Sequence, residues 1–178
     1  MNSDKEKIIA LLAASCLFLS TIEYIIPKPI PFLKLGLANL PILIALNILN
    51  SREILKLTIL KILGQGLIQG TLFSYIFLFS VVSSLASVFA MLVLNHICQT
   101  TISLIGLSVI GSIASNLSQL MLARLVIFGE SAWLIAPFLL ISGTISALIL
   151  GMVANNYIDQ SEWYSEIKFK KINKSPTS

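Results

Sequence analysis

From Leu72 to Leu94 the chain reads LFSYIFLFSVVSSLASVFAMLVL, without one Asp, Glu, Lys or Arg. A run of roughly 20 apolar residues is the length an α-helix needs to cross the hydrocarbon core of a bilayer. The run is too long for a strand and too free of charge for a surface helix, so it predicts a membrane span. The rest of the chain agrees. Only 11% of the 178 residues are charged and 56% are hydrophobic, with a mean hydropathy of +0.92. A soluble domain carries about a quarter charged residues. Lipid is therefore the main solvent, and the fold class expected is an all-α integral membrane bundle of about six transmembrane helices.

Outward from that run, the expected helices are residues 7–26, 35–49, 52–65, 72–94, 102–128 and 133–157. Pro27, Pro29 and Pro31 stop the first, because proline removes a donor and fixes φ. Acidic Asp4 and Glu6 and the lack of a small-residue cleavage site argue against a signal peptide, so the first helix is read as retained. The second is short for a full span, and is expected to be tilted or covered by protein. Gly64, Gly66 and Gly70 loosen the chain before Thr71, and Asn95 to Thr101 reads as a polar loop containing His96. Residues 1–158 are expected to form one six-helix transmembrane domain, and 159–178 a polar, basic cytoplasmic tail that frays at its end. Lys5, Lys7, Arg52, Lys56 and the tail residues Lys168, Lys170, Lys171 and Lys174 outweigh Lys28, Lys34 and Arg124. The positive-inside rule then places both termini in the cytoplasm of a cell-membrane protein, with the tail near anionic membrane lipid.

Polar groups inside a membrane are costly and mark sites of function. Lys61, Gln65 and Gln69 follow one another at four-residue spacing and share a helical face. Such a stripe either lines a polar cavity or snorkels and bonds to neighbouring helices. Asn116 and Gln119 share a face of the fifth helix, Arg124 lies near its outer end, and Asn39 sits on the second. Together Lys34, Asn39, Lys61, Gln65, Asn116, Gln119 and Arg124 make a basic, amide-rich set. It suits a small anionic or polar molecule, because arginine offers a planar fork to phosphate or carboxylate and lysine a point charge.

Small residues recur at Gly106, Ser108, Gly111, Ser112 and Ser115, and at Gly143, Ser146, Ala147 and Gly151, where they let helices approach closely. Ala10 and Ala14 form a similar pair on the first helix, which suits either packing or the docking of another protein. Cys16 and Cys98 lie in apolar runs without CxxC spacing and read as small hydrophobes. One histidine makes a histidine-based metal site improbable, and no cofactor is expected. There is no P-loop motif and no clustered aspartate pair for magnesium-dependent diphosphate chemistry. No Ser-His-Asp set and no carboxylate pair is available, so the chain is expected not to be an enzyme. No basic patch interleaved with aromatics is present, so nucleic acid is not an expected partner.

Three stretches carry a family resemblance. Pro29-Ile30-Pro31-Phe32-Leu33-Lys34-Leu35-Gly36-Leu37-Ala38-Asn39 resembles the proline-rich turn and KLGLAN signature of the Gx transporter family, also labelled heptaprenyl diphosphate synthase component I. Gly70-Thr71-Leu72-Phe73-Ser74 resembles its GTLFS block. Gly106 to Gly111, through Asn116 and Gln119, resembles a third block in which HNxGQ is usual. Here Ser115 stands for the family's histidine, Ser118 for its glycine, and Lys61 for a basic residue usually arginine. That family is similar to the S components of energy-coupling factor transporters. The resemblance implies a six-helix, ligand-binding subunit with an outward-facing pocket. It also implies docking through Ala10 and Ala14 on a membrane scaffold that works with ATPase subunits, and flavins or quinone precursors as cargo. The older family label implies instead an accessory subunit of polyprenyl diphosphate synthesis. A membrane anchor without a ligand of its own is the third alternative.

Overall fold

The computed structural model describes residues 2–26, 36–98 and 102–172, with side chains described for 5–26, 36–98 and 102–167. Lys28, Lys34 and the proline turn lie outside them, as do the side chains of Lys168, Lys170 and Lys171 and all of Lys174. Seven α-helices run in the order α1 (Asn2–Ile25), α2 (Leu40–Ala45), α3 (Ser51–Ile68), α4 (Tyr75–Cys98), α5 (Leu104–Ala123), α6 (Ala136–Gln160) and α7 (Glu162–Ile172), with no strand among the described residues. Among the described residues four of the six expected segments are long and apolar enough to cross a membrane: Lys5–Ile25, Tyr75–Cys98, Leu104–Leu134 and Ala136–Gln160; α2 is too short, and α3 carries four charged side chains. The chain is an all-α membrane bundle.

The second expected helix is the one most changed. A 3₁₀ turn at Leu37–Asn39 leads into α2, which is six residues long and so rises only about 9 Å. Pro41 fits its first turn, where an N–H has no intrahelical partner. Residues 41–46 are all buried, so protein rather than lipid covers this short piece. α3 is 18 residues long and carries Arg52, Glu53, Lys56 and Lys61. Its start is set by a capping box, in which Asn50 and Glu53 satisfy each other's backbone N–H groups. Lys5 of α1 also pairs with Glu53, at 2.9 Å. Gly64 and Gly66 lie inside α3; the chain turns at Gly70, whose φ of 64° suits a residue without Cβ.

α4 runs on through residue 98, so His96 occupies its last helical turn, exposed, and not a loop. Asn95 and His96 continue the helix, whose hydrogen bonding outweighs their polarity. Beyond α5 the helix widens into a π turn over Arg124–Phe128 and then tightens into a 3₁₀ turn over Gly129–Leu134. The expected break at Gly129 is therefore a change of helical pitch with a positive φ of 55° at the glycine.

α4, α5 and α6 pack as one layered unit, and the small residues explain how. A Cβ on Gly111 would stand 2.9 Å from Ser87 Oγ of α4, and one on Gly151 would stand 2.6 Å from the Cα of Ile105. Ser108 and Ser112 of α5 donate to the carbonyl oxygens of Ala147 (2.8 Å) and Gly143 (2.9 Å) on α6. Helices without a hydrophobic force between them associate through such close contacts and bonds. On the other side, Ile9, Leu12, Ala13 and Cys16 of α1 join α2, Leu57 of α3 and Tyr164 of α7 in one buried cluster. The polar tail is thus helical up to Ile172 and is tied down by Tyr164, which is 2% exposed.

Candidate functional site

Lys61 lies mid-way along α3 with 3% of its surface exposed. Its neighbours one turn away, Leu57 and Thr58, are fully buried, so this face of α3 points into the protein and the ammonium cannot snorkel to water. An ammonium taken out of water without partners is costly. Lys61 Nζ donates to Asn39 Oδ1 and, at 3.4 Å, to Ser84 Oγ. Glu23 and Cys16 of α1 are its electrostatic neighbours. Glu23, itself 5% exposed, accepts from the backbone N–H of Gly36 at 3.3 Å. That contact holds the left-handed glycine (φ 85°) from which the Leu37–Asn39 turn starts, and the turn delivers the Asn39 amide to Lys61.

Asn39 and Ser84 belong to the wall of a cavity of about 40 Å³ between α2, α4, α5 and α6. Ser83 and Ser87 of α4, and Ser112, Ser115 and Asn116 of α5, complete most of its polar lining. The α4 serines stand at 80, 83, 84 and 87, all buried, a spacing that puts them on one helical face. Asn116 is 3% exposed; its Nδ2 donates to Leu139 O of α6 at 3.1 Å and to Ser112 Oγ at 3.4 Å. The arrangement is a hydroxyl- and amide-lined pocket with one buried cation at its edge. It has the means to hold the oxyanion of a small molecule, and no carboxylate pair for acid–base chemistry lines it. Among the described residues no three His, Cys, Asp or Glu side chains gather to hold a metal.

The expected site residues divide. Asn39 and Asn116 line the cavity, and Lys61 bonds to two of its lining residues. Gln119 stands one step behind: it is 1% exposed, its Nε2 reaches Ser115 Oγ at 3.5 Å, and its Oε1 has no hydrogen-bond partner. Gln65 and Arg124 are not in the lining. Gln65 Oε1 is buried and unpartnered, while Gln69 further along the stripe donates to Ser20 of α1 at 3.2 Å. Arg124 is exposed on the π turn, paired with Glu130 and 5.9 Å above the Trp133 ring. Lys34 lies outside the described residues. Ala10 and Ala14 are both exposed on the outer face of α1, while Ala13 between them is buried.

Two contributors escaped the sequence reading. Glu23 is the one acid in the apolar part of α1, and that isolation was its signal. Ser84 belongs to a serine stripe in plain view inside the uncharged run of residues 72–94. No curated protein and no solved structure matches the chain. A family model described as heptaprenyl diphosphate synthase component I matches residues 12–157, from mid-α1 almost to the end of α6. This match covers most of the chain and the whole of the Lys61 pocket: the protein belongs to the heptaprenyl diphosphate synthase component I family.

Proposed function

We propose that this protein is the membrane-embedded, ligand-binding subunit of an energy-coupling factor type transporter, similar to an S component. Its ligand is a small, anionic molecule such as a flavin or a vitamin or quinone precursor. The observation that carries the reading is Lys61, a buried cation bonded to Asn39 and Ser84 at the rim of a polar cavity. Retaining a charge in such a place is costly unless it meets a counter-charge, and intramembrane charges mark ligand and ion pathways. The chain has no nucleotide-binding motif, so energy would come from a membrane scaffold with ATPase subunits. The exposed Ala10 and Ala14 of α1 offer the close-approach face for that scaffold. In this reading the protein sits in the cell membrane with both termini in the cytoplasm, following its basic residues.

The family description favours a second reading, an accessory subunit of polyprenyl diphosphate synthesis. There Lys61 would meet a diphosphate while a partner supplied the carboxylates for magnesium. Purification from native membranes in mild detergent separates the two. The transport reading expects a transmembrane scaffold and ATPases to come with the chain, and ligand uptake into vesicles to require them. Recovery of a prenyl-transferring subunit, with prenyl diphosphate synthesis that falls when the chain is removed, would replace it with the second reading.

A further inference from the structure

Three groups on the α5 wall of the cavity have no hydrogen left to give. Each serine hydroxyl has one hydrogen. Those of Ser108 and Ser112 are committed to the carbonyl oxygens of Ala147 and Gly143. The hydrogens of the Asn116 amide go to Leu139 O and Ser112 Oγ. A backbone carbonyl only accepts, so the Leu139 contact fixes which side of that amide is nitrogen and leaves Oδ1 as the free group. Behind this wall the buried Gln119 gives one Nε2 hydrogen to Ser115 Oγ and keeps an Oε1 without a partner. Ser108, Ser112 and Asn116 therefore present only oxygen lone pairs, while Ser115 beside them and Ser84 and Ser87 on α4 each keep a hydroxyl hydrogen. On the opposite side, behind the lining residues Asn39 and Ser84, lies Lys61 Nζ, with three hydrogens, two of them held by those residues.

We infer that the cavity selects an anion that is also rich in hydroxyl or N–H groups: its oxyanion meets Lys61, and its donors meet the acceptor-only wall of Ser108, Ser112 and Asn116. The inference rests on the ligand-binding reading above and adds the chemical class of the ligand's buried end. An unsubstituted aliphatic acid would satisfy the cation and leave the wall oxygens unpaired, which is the costly half of a hydrogen-bonded site. The space of about 40 Å³ corresponds to roughly three water molecules at ~10–15 Å³ each. It takes the end of a ligand, a few heavy atoms, and not a ring system.

Three acids with the same carboxylate and carbon number test the idea: propionate, lactate and glycerate, with no, one and two hydroxyls. Their binding to the full-length protein in detergent is read from the concentration dependence of its thermal stabilisation. The expected result is an affinity that rises roughly three- to tenfold with each hydroxyl, the worth of one hydrogen bond. Ser108→Ala and Ser112→Ala, tested separately so that one failing to fold leaves the other, should flatten the series while propionate binding persists. Lys61→Met should abolish binding of all three acids. Equal affinity for the three acids, or none for any of them, overturns the donor-matching inference. Glycerate binding that survives Lys61→Met overturns the ligand-binding reading beneath it.

Discussion

Gly143→Ala is the smallest change that should disturb the site. A Cβ at this position would overlap the Nδ2 atom of Asn116, and would stand 3.0 Å from its Cγ and 3.1 Å from Ser112 Oγ. The Asn116 amide is buried and bonded to Leu139 O at 3.1 Å, so it has no free direction in which to move. Overpacking of this kind costs about 1–3 kcal/mol, and displacing the amide adds about 1 kcal/mol for its lost hydrogen bond. Alanine's better helix propensity returns up to about 1 kcal/mol. The clash wins, with a net loss of about 1–3 kcal/mol. Unfolding in mixed micelles by SDS titration measures it. The same substitution made on an Asn116→Ala background meets no amide, so its cost should fall to about zero or become a gain. The two changes are therefore expected to couple by about 2 kcal/mol, the sign of a shared contact. Equal cost of Gly143→Ala in both backgrounds would refute the account of how α5 and α6 pack around the cavity.

Lys61→Met should leave the protein as stable as the parent or slightly more so, within about 1 kcal/mol, because an apolar isostere removes a buried charge; the same titration checks it. Burial pushes the Tyr164 phenol above its ordinary value of 10.0, and its hydroxyl faces Asn47 outside hydrogen-bond geometry. A folded-state value raised above the unfolded one gives stability that is present below the unfolded pKa and lost as pH rises through the folded one. α7 should therefore detach at strongly alkaline pH, Tyr164→Phe should abolish that dependence at little cost, and Tyr164→Ala should cost about 3 kcal/mol by the usual scale for a buried aromatic; proteolysis after α6 reads all three. Arg124→Ala removes only an exposed ion pair and a ring contact, so it should cost under about 1 kcal/mol and leave anion binding unchanged, as measured by the same thermal series.

Four spans were legible because lipid demands long apolar runs, and the 72–94 stretch has no other reading. Close packing of α5 on α6 was legible too, since glycines and serines at helical spacing have few other uses in a membrane. Lys61 stood out as a charge too far along its helix to reach water easily. What it touches was not legible. Its partner Asn39 arrives through a left-handed turn at Gly36, held by Glu23 from a different helix, and no period in the sequence encodes that meeting. The shortness of α2 was hidden for a related reason: Leu40 to Leu49 is nearly all apolar, yet protein rather than lipid covers residues 41–46, 48 and 49. Arg124 looked like a ligand contact by type alone, and the π turn that carries it past α5 points it at Glu130 and Trp133 instead.

Mass spectrometry of the small molecules that co-purify with the detergent-solubilised protein, beside a folded Lys61→Met control, tests the central claim most directly. The account predicts an anionic small molecule that is retained by the parent protein and lost from the control. The same anion retained equally by both would contradict it and return Lys61 to a purely structural role.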